Sequence, residues 1–296
     1  MSARFVISDL HMGDGGPRDK FELNPKREDD LLRFCDYVDD QQGLLRLLGD
    51  IWELWQMNPS DVLRRRLRVV QRFMCMLRDS VPGNHDIDIT DPAIAPIFGL
   101  YPPIPWPDGI EIYKFKKIRF FHGHEVDPFN NTRNPGWGRV MAIAAGLYED
   151  HNKSPVLPDG SLIEERLLKI GNRIGMLANL ASYSYHWIKD DAPPVVDFSV
   201  GLRPVQSATR LGQHLVAVAA DIKSRGYDIA VCGHTHIRGH YGHPKPWYYN
   251  CGSWSWNEEP FLRIDDNDQV TEWIWTGRTA VQVSREITIG RRRSHE

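Results

Sequence analysis

Short apolar runs that end in small or polar residues divide this chain. Phe5-Val-Ile7, Leu44-Leu-Arg-Leu-Leu48, Ile118-Arg-Phe-Phe121 and Asp228-Ile-Ala-Val-Cys232 have the length and content of buried strands. Between them lie stretches with apolar residues at helical spacing. Arg27 to Asp39 puts Leu31, Leu32, Phe34, Cys35 and Val38 on one period, and Asp61 to Leu77 does so with Val62, Val69, Val70, Phe73 and Leu77. This alternation of strand and helix predicts the α/β class. Ser207 to Ser224 reads as a further amphipathic helix, stopped by Gly226. Beyond it, Trp247-Tyr-Tyr-Asn250, Pro260 to Ile264, Val270 to Trp275 and Ala280 to Val283 are short alternating segments, with a turn at Asp265-Asp-Asn-Asp268. They predict antiparallel strands.

The rhythm breaks between about Glu125 and Arg225. A Pro/Asn/Gly-rich stretch over 127–138 is followed by a small-residue helix, Val140 to Tyr148, and a loop near Pro155 to Gly160. A long helix from Leu162 to Ile188 follows, its apolar positions alternating steps of three and four. This predicts a helical cap, residues 126–226, inserted into a single domain spanning 1–296.

Composition excludes several classes. The four cysteines, Cys35, Cys75, Cys232 and Cys251, form no CxxC, so neither a zinc ribbon nor a disulfide scaffold is indicated. Two predicted strands contain a cysteine beside apolar residues, which reads as buried free thiols, and the expected compartment is a reducing one. A net charge of -3 supplies no bulk attraction to nucleic acid. The arginines of the 61–77 helix, Arg64, Arg65, Arg66, Arg68 and Arg72, read as a solvated face opposite the apolar stripe. No apolar run spans a bilayer, and the first strand runs straight into a polar motif with no secretory signal before it. A cytoplasmic location is expected, with peripheral membrane contact open and the oligomeric state unspecified.

Five polar motifs follow the apolar runs: Asp9-Leu-His11, Gly49-Asp50, Gly83-Asn84-His85-Asp86, His122-Gly-His124 and Gly233-His234-Thr-His236. Spacing by one residue lets Asp9 and His11 share one side of a strand that continues past its hydrogen-bonded end, and the same holds for His234 and His236. Carboxylate, amide and imidazole together suit two divalent transition-metal ions, manganese foremost, with iron, zinc or nickel as alternatives. A carboxylate shared by two ions holds them about 3.5–4 Å apart, a separation used in phosphate ester hydrolysis by metal-activated water. Either imidazole of His122-Gly-His124 could be a ligand; His122 is preferred because it directly ends its strand.

This motif series resembles that of the calcineurin-like metallophosphoesterase superfamily. The resemblance covers Ser8 to Ser253 and implies a two-layer αββα sandwich with the site at its strand ends. It implies that Asp9, His11 and His236 bind one ion, that Asn84, His122 and His234 bind the other, and that Asp50 bridges them. His85 would stabilise the transition state and protonate the leaving oxygen, and Asp86 would orient its imidazole. The segments Gly49 to Trp55 and Trp247 to Trp254 are also similar to the branch of UDP-2,3-diacylglucosamine pyrophosphohydrolases. That branch carries Arg where His85 stands and Asp where His124 stands, so the likeness is of branch and not of substrate.

The expectation is therefore a dinuclear phosphoesterase acting on a phosphodiester, phosphomonoester or pyrophosphate, nucleotide- or lipid-linked substrates included. The competing class is a non-catalytic metal-binding scaffold that uses its surface for partners. Retention of His85 beside a full ligand set favours the enzyme. A nuclease would need a continuous basic groove, which the charge does not suggest.

Overall fold

The strand pleat sorts the apolar residues of this protein into three layers of core. Phe5 and Ile7 of β1 (Arg4–Ile7) join one core and Val6, between them, joins another. In β6 (Ile229–Cys232), Ile229 and Val231 enter the second core while Ala230 and Cys232 enter a third. A strand that is apolar on both sides must be covered on both faces. The computed structural model, which describes residues 3–16, 18–76, 78–91, 94, 98, 110–112, 115–127, 210–255 and 258–287, shows how this is met.

Two sheets stack face to face. In the first, the order is β11-β10-β9-β1-β2-β3, with β2 (Leu44–Leu48) and β3 (Arg78–Val81) running parallel to β1. The strands β9 (Glu259–Ile264), β10 (Val270–Trp275) and β11 (Ala280–Val283) extend it antiparallel. The second sheet has the order β4-β5-β6-β8-β7. Here β5 (Lys117–Phe120), β6 and β8 (Tyr248–Asn250) are parallel, and β4 (Ile110–Ile112) and β7 (Gly239–Tyr241) are antiparallel edges. The edge strands β4 and β7 are too short to leave a periodic signal in the sequence. Between the sheets, Val6, Leu48 and Val81 meet Ile118, Phe120, Ile229 and Val231.

Helices close the outer faces. Leu31, Phe34, Cys35 and Val38 of α1 (Arg27–Asp40) cover the first sheet with residues of α2 (Pro59–Arg65) and α3 (Leu67–Met74). Leu215, Val218 and Ile222 of α4 (Arg210–Arg225) cover the second, against Phe121, Ala230, Cys232 and Tyr248. Each such side chain contributes about 1.5–3 kcal/mol on full burial. The result is the expected α/β sandwich with helices on both sides. The C-terminal end of the expected 126–226 cap is thus part of the sandwich, because α4 carries an apolar face that matches the sheet. The remainder of the expected cap, residues 128–209, lies outside the described residues. Among those described, no helix is long and apolar enough to cross a membrane.

The single helix expected over 61–77 is two. The chain breaks at Arg66 (φ −105°, ψ 22°), and this arginine does not belong to a solvated face. Its side chain is fully buried. The guanidinium donates to the Gly13 carbonyl at 3.0 Å, to Asp19 at 2.5 Å and to Glu28 at 2.9 Å. Arg66 stands four residues after Val62 and three before Val69, so it falls on the apolar side of the helices, beneath the loop that follows the first motif. The exposed arginines are paired as well, Arg65 with Glu22, Arg68 with Glu28 and Asp29, and Arg64 with Asp61. Arg18, in the loop after the first motif, donates to the Gln56 carbonyl at 2.9 Å.

Two predictions follow from this packing. Arg66→Met strands the buried Asp19 carboxylate and should lower unfolding free energy by about 3–5 kcal/mol in urea titration. The second concerns Glu259. Burial and the Asp30 charge push its carboxyl up to about 7, against the pull of Arg27 and Arg33. A raised carboxyl favours folding in its neutral form, so that contribution is complete below pH 4.5 and is lost as pH rises through 7. Glu259→Gln should therefore lose less stability than the wild type between pH 4.5 and 7, as read from urea midpoints.

Candidate metal centre

The five motifs occupy the loops that leave the C-terminal ends of β1, β2, β3, β5 and β6, and the stacked sheets bring these loops together. The backbone does not arrive there by a continued pleat, as the D-x-H and H-x-H spacings suggest. Asp9, His11, Asp50, His234 and His236 all have left-handed backbones, with φ of 54°, 49°, 53°, 66° and 58°. Such residues cost about 1–3 kcal/mol each and persist only where surroundings enforce them. The loops are held as a pair by Asp9 N–H to the Gly49 carbonyl (3.0 Å) and His11 N–H to the Asp50 carbonyl (2.9 Å). Leu10, between the two left-handed residues, turns into the core. Asp9 and His11 thereby do share a face, through backbone turns and not through strand geometry.

Two glycines make the approach possible. Gly49 lies at φ +83°, and a Cβ there would stand 2.5 Å from the His122 ring. A Cβ on Gly83 would stand 2.1 Å from an Asp50 carboxylate oxygen. No other residue type fits either place.

Three groups of convergent side chains result among the described residues, and the third, His11, Glu53 and His85, shares His11 with the first. In the first, Asp9, His11 and His236 converge: His236 Nε2 is 3.1 Å from Asp9 Oδ1 and 3.2 Å from His11 Nε2. In the second, Asp50, His122 and His234 converge, with His122 Nε2 3.1 Å from Asp50 Oδ2. The same Oδ2 lies 3.9 Å from His11 Nε2, so Asp50 faces both groups. Its other oxygen accepts the His85 N–H at 2.8 Å. His122, and not His124, is the imidazole grouped with Asp50. His124 is buried beside it, ring centroids 5.4 Å apart, and burial lowers its pKa to about 4.

The donors fit a cation. His122 Nδ1 donates to the Leu48 carbonyl at 2.9 Å, which leaves the Nε2 lone pair facing a carboxylate. Two acceptors 3.1 Å apart repel unless positive charge lies between them. Burial alone would lower the His122 pKa, but Asp50 and Asp9 push it up to about 10, which expresses the same demand. Burial lowers the His11 pKa to about 4, so this imidazole is neutral at neutral pH, the form a metal requires. Burial alone would raise the Asp9 and Asp50 carboxyls, yet the surrounding imidazoles hold both below the usual carboxylate range. The Asn84 side-chain oxygen is buried with no hydrogen-bond partner, a state that a metal ion would relieve.

Asp86 does not hold His85. Its carboxylate instead accepts four backbone N–H groups, from Gly83 (2.7 Å), Asp50 (3.2 Å), Ile51 (2.8 Å) and Trp52 (3.2 Å). It ties the second and third motif loops together. Burial and the nearby Asp50 charge push its carboxyl up to about 6. Glu53 takes the orienting place, with Oε2 2.7 Å from His85 Nδ1 and 3.2 Å from His11 Nδ1. Burial alone would lower the His85 pKa, but the Glu53 and Asp50 charges raise it. Glu53 was detectable as a carboxylate embedded in the apolar run Ile51 to Trp55, a setting in which an acid is rarely buried without a partner. A second unanticipated carboxylate, Asp127, lies 2.8 Å from His234 Nε2. It sits where the Pro/Asn/Gly-rich stretch begins, and nothing in its sequence context sets it apart.

Among solved structures, a predicted phosphoesterase from Streptococcus pneumoniae TIGR4 matches at 12% identity and TM-score 0.38, over 96% of this chain and 98% of that one. Vacuolar Protein Sorting 29 from Cryptosporidium parvum matches at 12% identity and TM-score 0.42, over 96% and 98%. A cold-active protein-tyrosine phosphatase of a psychrophilic Shewanella matches at 9% identity and TM-score 0.33, over 95% and 80%. Likenesses this distant carry no functional information. No curated protein matches the sequence. The family-level match is of another kind, for it runs from residue 5 to residue 238 and takes in all five motifs. This chain belongs to the calcineurin-like phosphoesterase family.

Proposed function

We propose that this protein is a dinuclear metal-dependent phosphoesterase. The observation that carries the reading is the position of Asp50 Oδ2, within 3.1 Å of His122 Nε2 and 3.9 Å of His11 Nε2. A carboxylate so placed can serve two ions at once. Asp9, His11 and His236 would hold one ion, and Asn84, His122 and His234 the other. The mixed oxygen and nitrogen donors suit manganese, with iron, zinc or nickel as alternatives. When bound, such a pair lowers the pKa of a water and neutralises charge developing on a phosphoryl oxygen.

The chain's own residues supply the rest. His85 is not among the proposed ligands, and Glu53 holds its Nδ1, leaving Nε2 to deliver a proton to the departing oxygen. Asp127 orients His234, as carboxylates commonly do for metal-binding imidazoles. Asp86 fixes the loop that carries Asp50. The substrate class is a phosphodiester, phosphomonoester or pyrophosphate. The departures at His85 and His124 leave a UDP-2,3-diacylglucosamine-like pyrophosphate as the alternative substrate, to be assayed beside simple esters.

Three variants test the assignment against bis-p-nitrophenyl phosphate and p-nitrophenyl phosphate with added manganese. Asp50→Ala should lose bound metal and turnover together. His85→Ala should retain metal, and on an alkyl phosphoester with a poor leaving group, assayed beside these two esters, its turnover should fall by about 10²–10⁴-fold. Asp127→Asn should weaken metal binding by about 10–100-fold in calorimetric titration, an effect read without any activity. Metal-replete protein that turns over no phosphoester would instead favour the non-catalytic scaffold.

A further inference from the structure

Trp55 is a buried tryptophan, 7% exposed, that stands apart from the three apolar clusters of the described residues. Its neighbours in sequence behave differently. Trp52, Leu54 and Met57 all join the core beneath the first sheet, and Trp52 packs against Phe73 and Phe98. The Trp55 indole instead lies flat on the His85 imidazole, with ring centroids 4.0 Å apart and an interplanar angle of 24°.

The segment 53–55 grips His85 at three points. Glu53 Oε2 meets His85 Nδ1 at 2.7 Å, Leu54 N–H donates to the His85 carbonyl at 3.2 Å, and Trp55 covers the ring face. The Trp55 backbone N–H also donates to Glu53 Oε1 at 3.2 Å, so one carboxylate braces both the imidazole and the residue stacked on it. His11 meets the ring edge-on, at 4.7 Å and 89°. A hydrogen bond at Nδ1 fixes one atom of the imidazole but leaves the ring free to pivot, since its terminal torsion is soft. A stacked indole fixes the plane.

We infer that Trp55 is a positioning residue for His85, holding the imidazole plane so that Nε2 points at the leaving oxygen. The inference rests on the reading of His85 as proton donor. Geometry of this kind is worth about 10²-fold for a displacement of 1 Å, and only when proton donation limits the rate. An ester with a good leaving group needs little help from a proton, while a poor one depends on it.

The test is a set of aryl phosphodiesters of rising leaving-group pKa, with manganese-loaded protein. Trp55→Leu should keep its metal content and KM and lose about 10–100-fold in kcat on the poorest leaving group. On the p-nitrophenyl ester it should stay within about threefold of wild type. Trp55→Phe, which keeps a ring to stack, should recover most of the loss. In the wild type loaded with diamagnetic zinc, the His85 Cε1–H resonance should lie upfield because of the indole ring current, a readout that needs no variant to fold. Steep leaving-group dependence in His85→Ala beside wild-type behaviour in Trp55→Leu would overturn the role of Trp55 alone. So would equal losses on all esters, or an unshifted His85 resonance. A flat His85→Ala series would overturn the proton-donor reading, and the role of Trp55 with it.

Discussion

One oxygen atom, Oδ2 of Asp50, faces imidazoles that belong to different sheets. His11 follows β1 in the first sheet, and His122 follows β5 in the second. The centre therefore exists only if the two sheets stack in one register. That register is set by the apolar layer between them, where Val6, Leu48 and Val81 meet Ile118, Phe120, Ile229 and Val231. Close packing tolerates little sliding, so the distances at the centre inherit the precision of the core. The parallel runs β1-β2-β3 and β5-β6-β8 direct their loops to the site, as open α/β sheets commonly do at the carboxyl ends of their strands.

Holding the loops there is costly, and the costs are local. Five residues of the first two groups sit in left-handed backbone conformations. Three buried carboxylates, Asp9, Asp50 and Glu53, crowd one region, and the imidazoles around them hold all three below the usual carboxylate range against the effect of burial. Offsetting contacts surround them: Asp86 accepts four backbone N–H groups, and Asn250 donates to the Gly233 carbonyl at 2.6 Å under the fifth motif. The Ser253 hydroxyl donates to the Asp9 carbonyl at 2.8 Å. A divalent cation pair would relieve the remaining charge conflict, which is the physical reason to read this strain as belonging to a metal centre.

Much of this was legible along the chain. The positions of β1, β2, β5, β6, β9, β10 and β11 follow from short apolar runs, and the motifs stand where those runs end. Local signals of this kind survive because strand burial and loop chemistry are written in neighbouring residues. The burial of Arg66 was not legible, since its partners, the Gly13 carbonyl and the carboxylates of Asp19 and Glu28, lie far away in the sequence. Nor was the exchange of parts between Asp86 and Glu53. Asp86 is adjacent to His85, but adjacency in a tight turn sends neighbouring side chains in different directions. Glu53 reaches the imidazole because its own loop lies alongside.

The sequence by itself determined the reaction family. Carboxylates, an amide and imidazoles in five ordered motifs specify a donor set, and a donor set specifies the chemistry it can support. Tertiary structure alone decided which donor stands with which. His122 rather than His124 meets Asp50, Glu53 rather than Asp86 holds His85, and Asp127 reaches His234 across 107 positions of the chain. Those pairings depend on distances of a few ångströms between loops of different strands, and such distances arise only when two sheets pack.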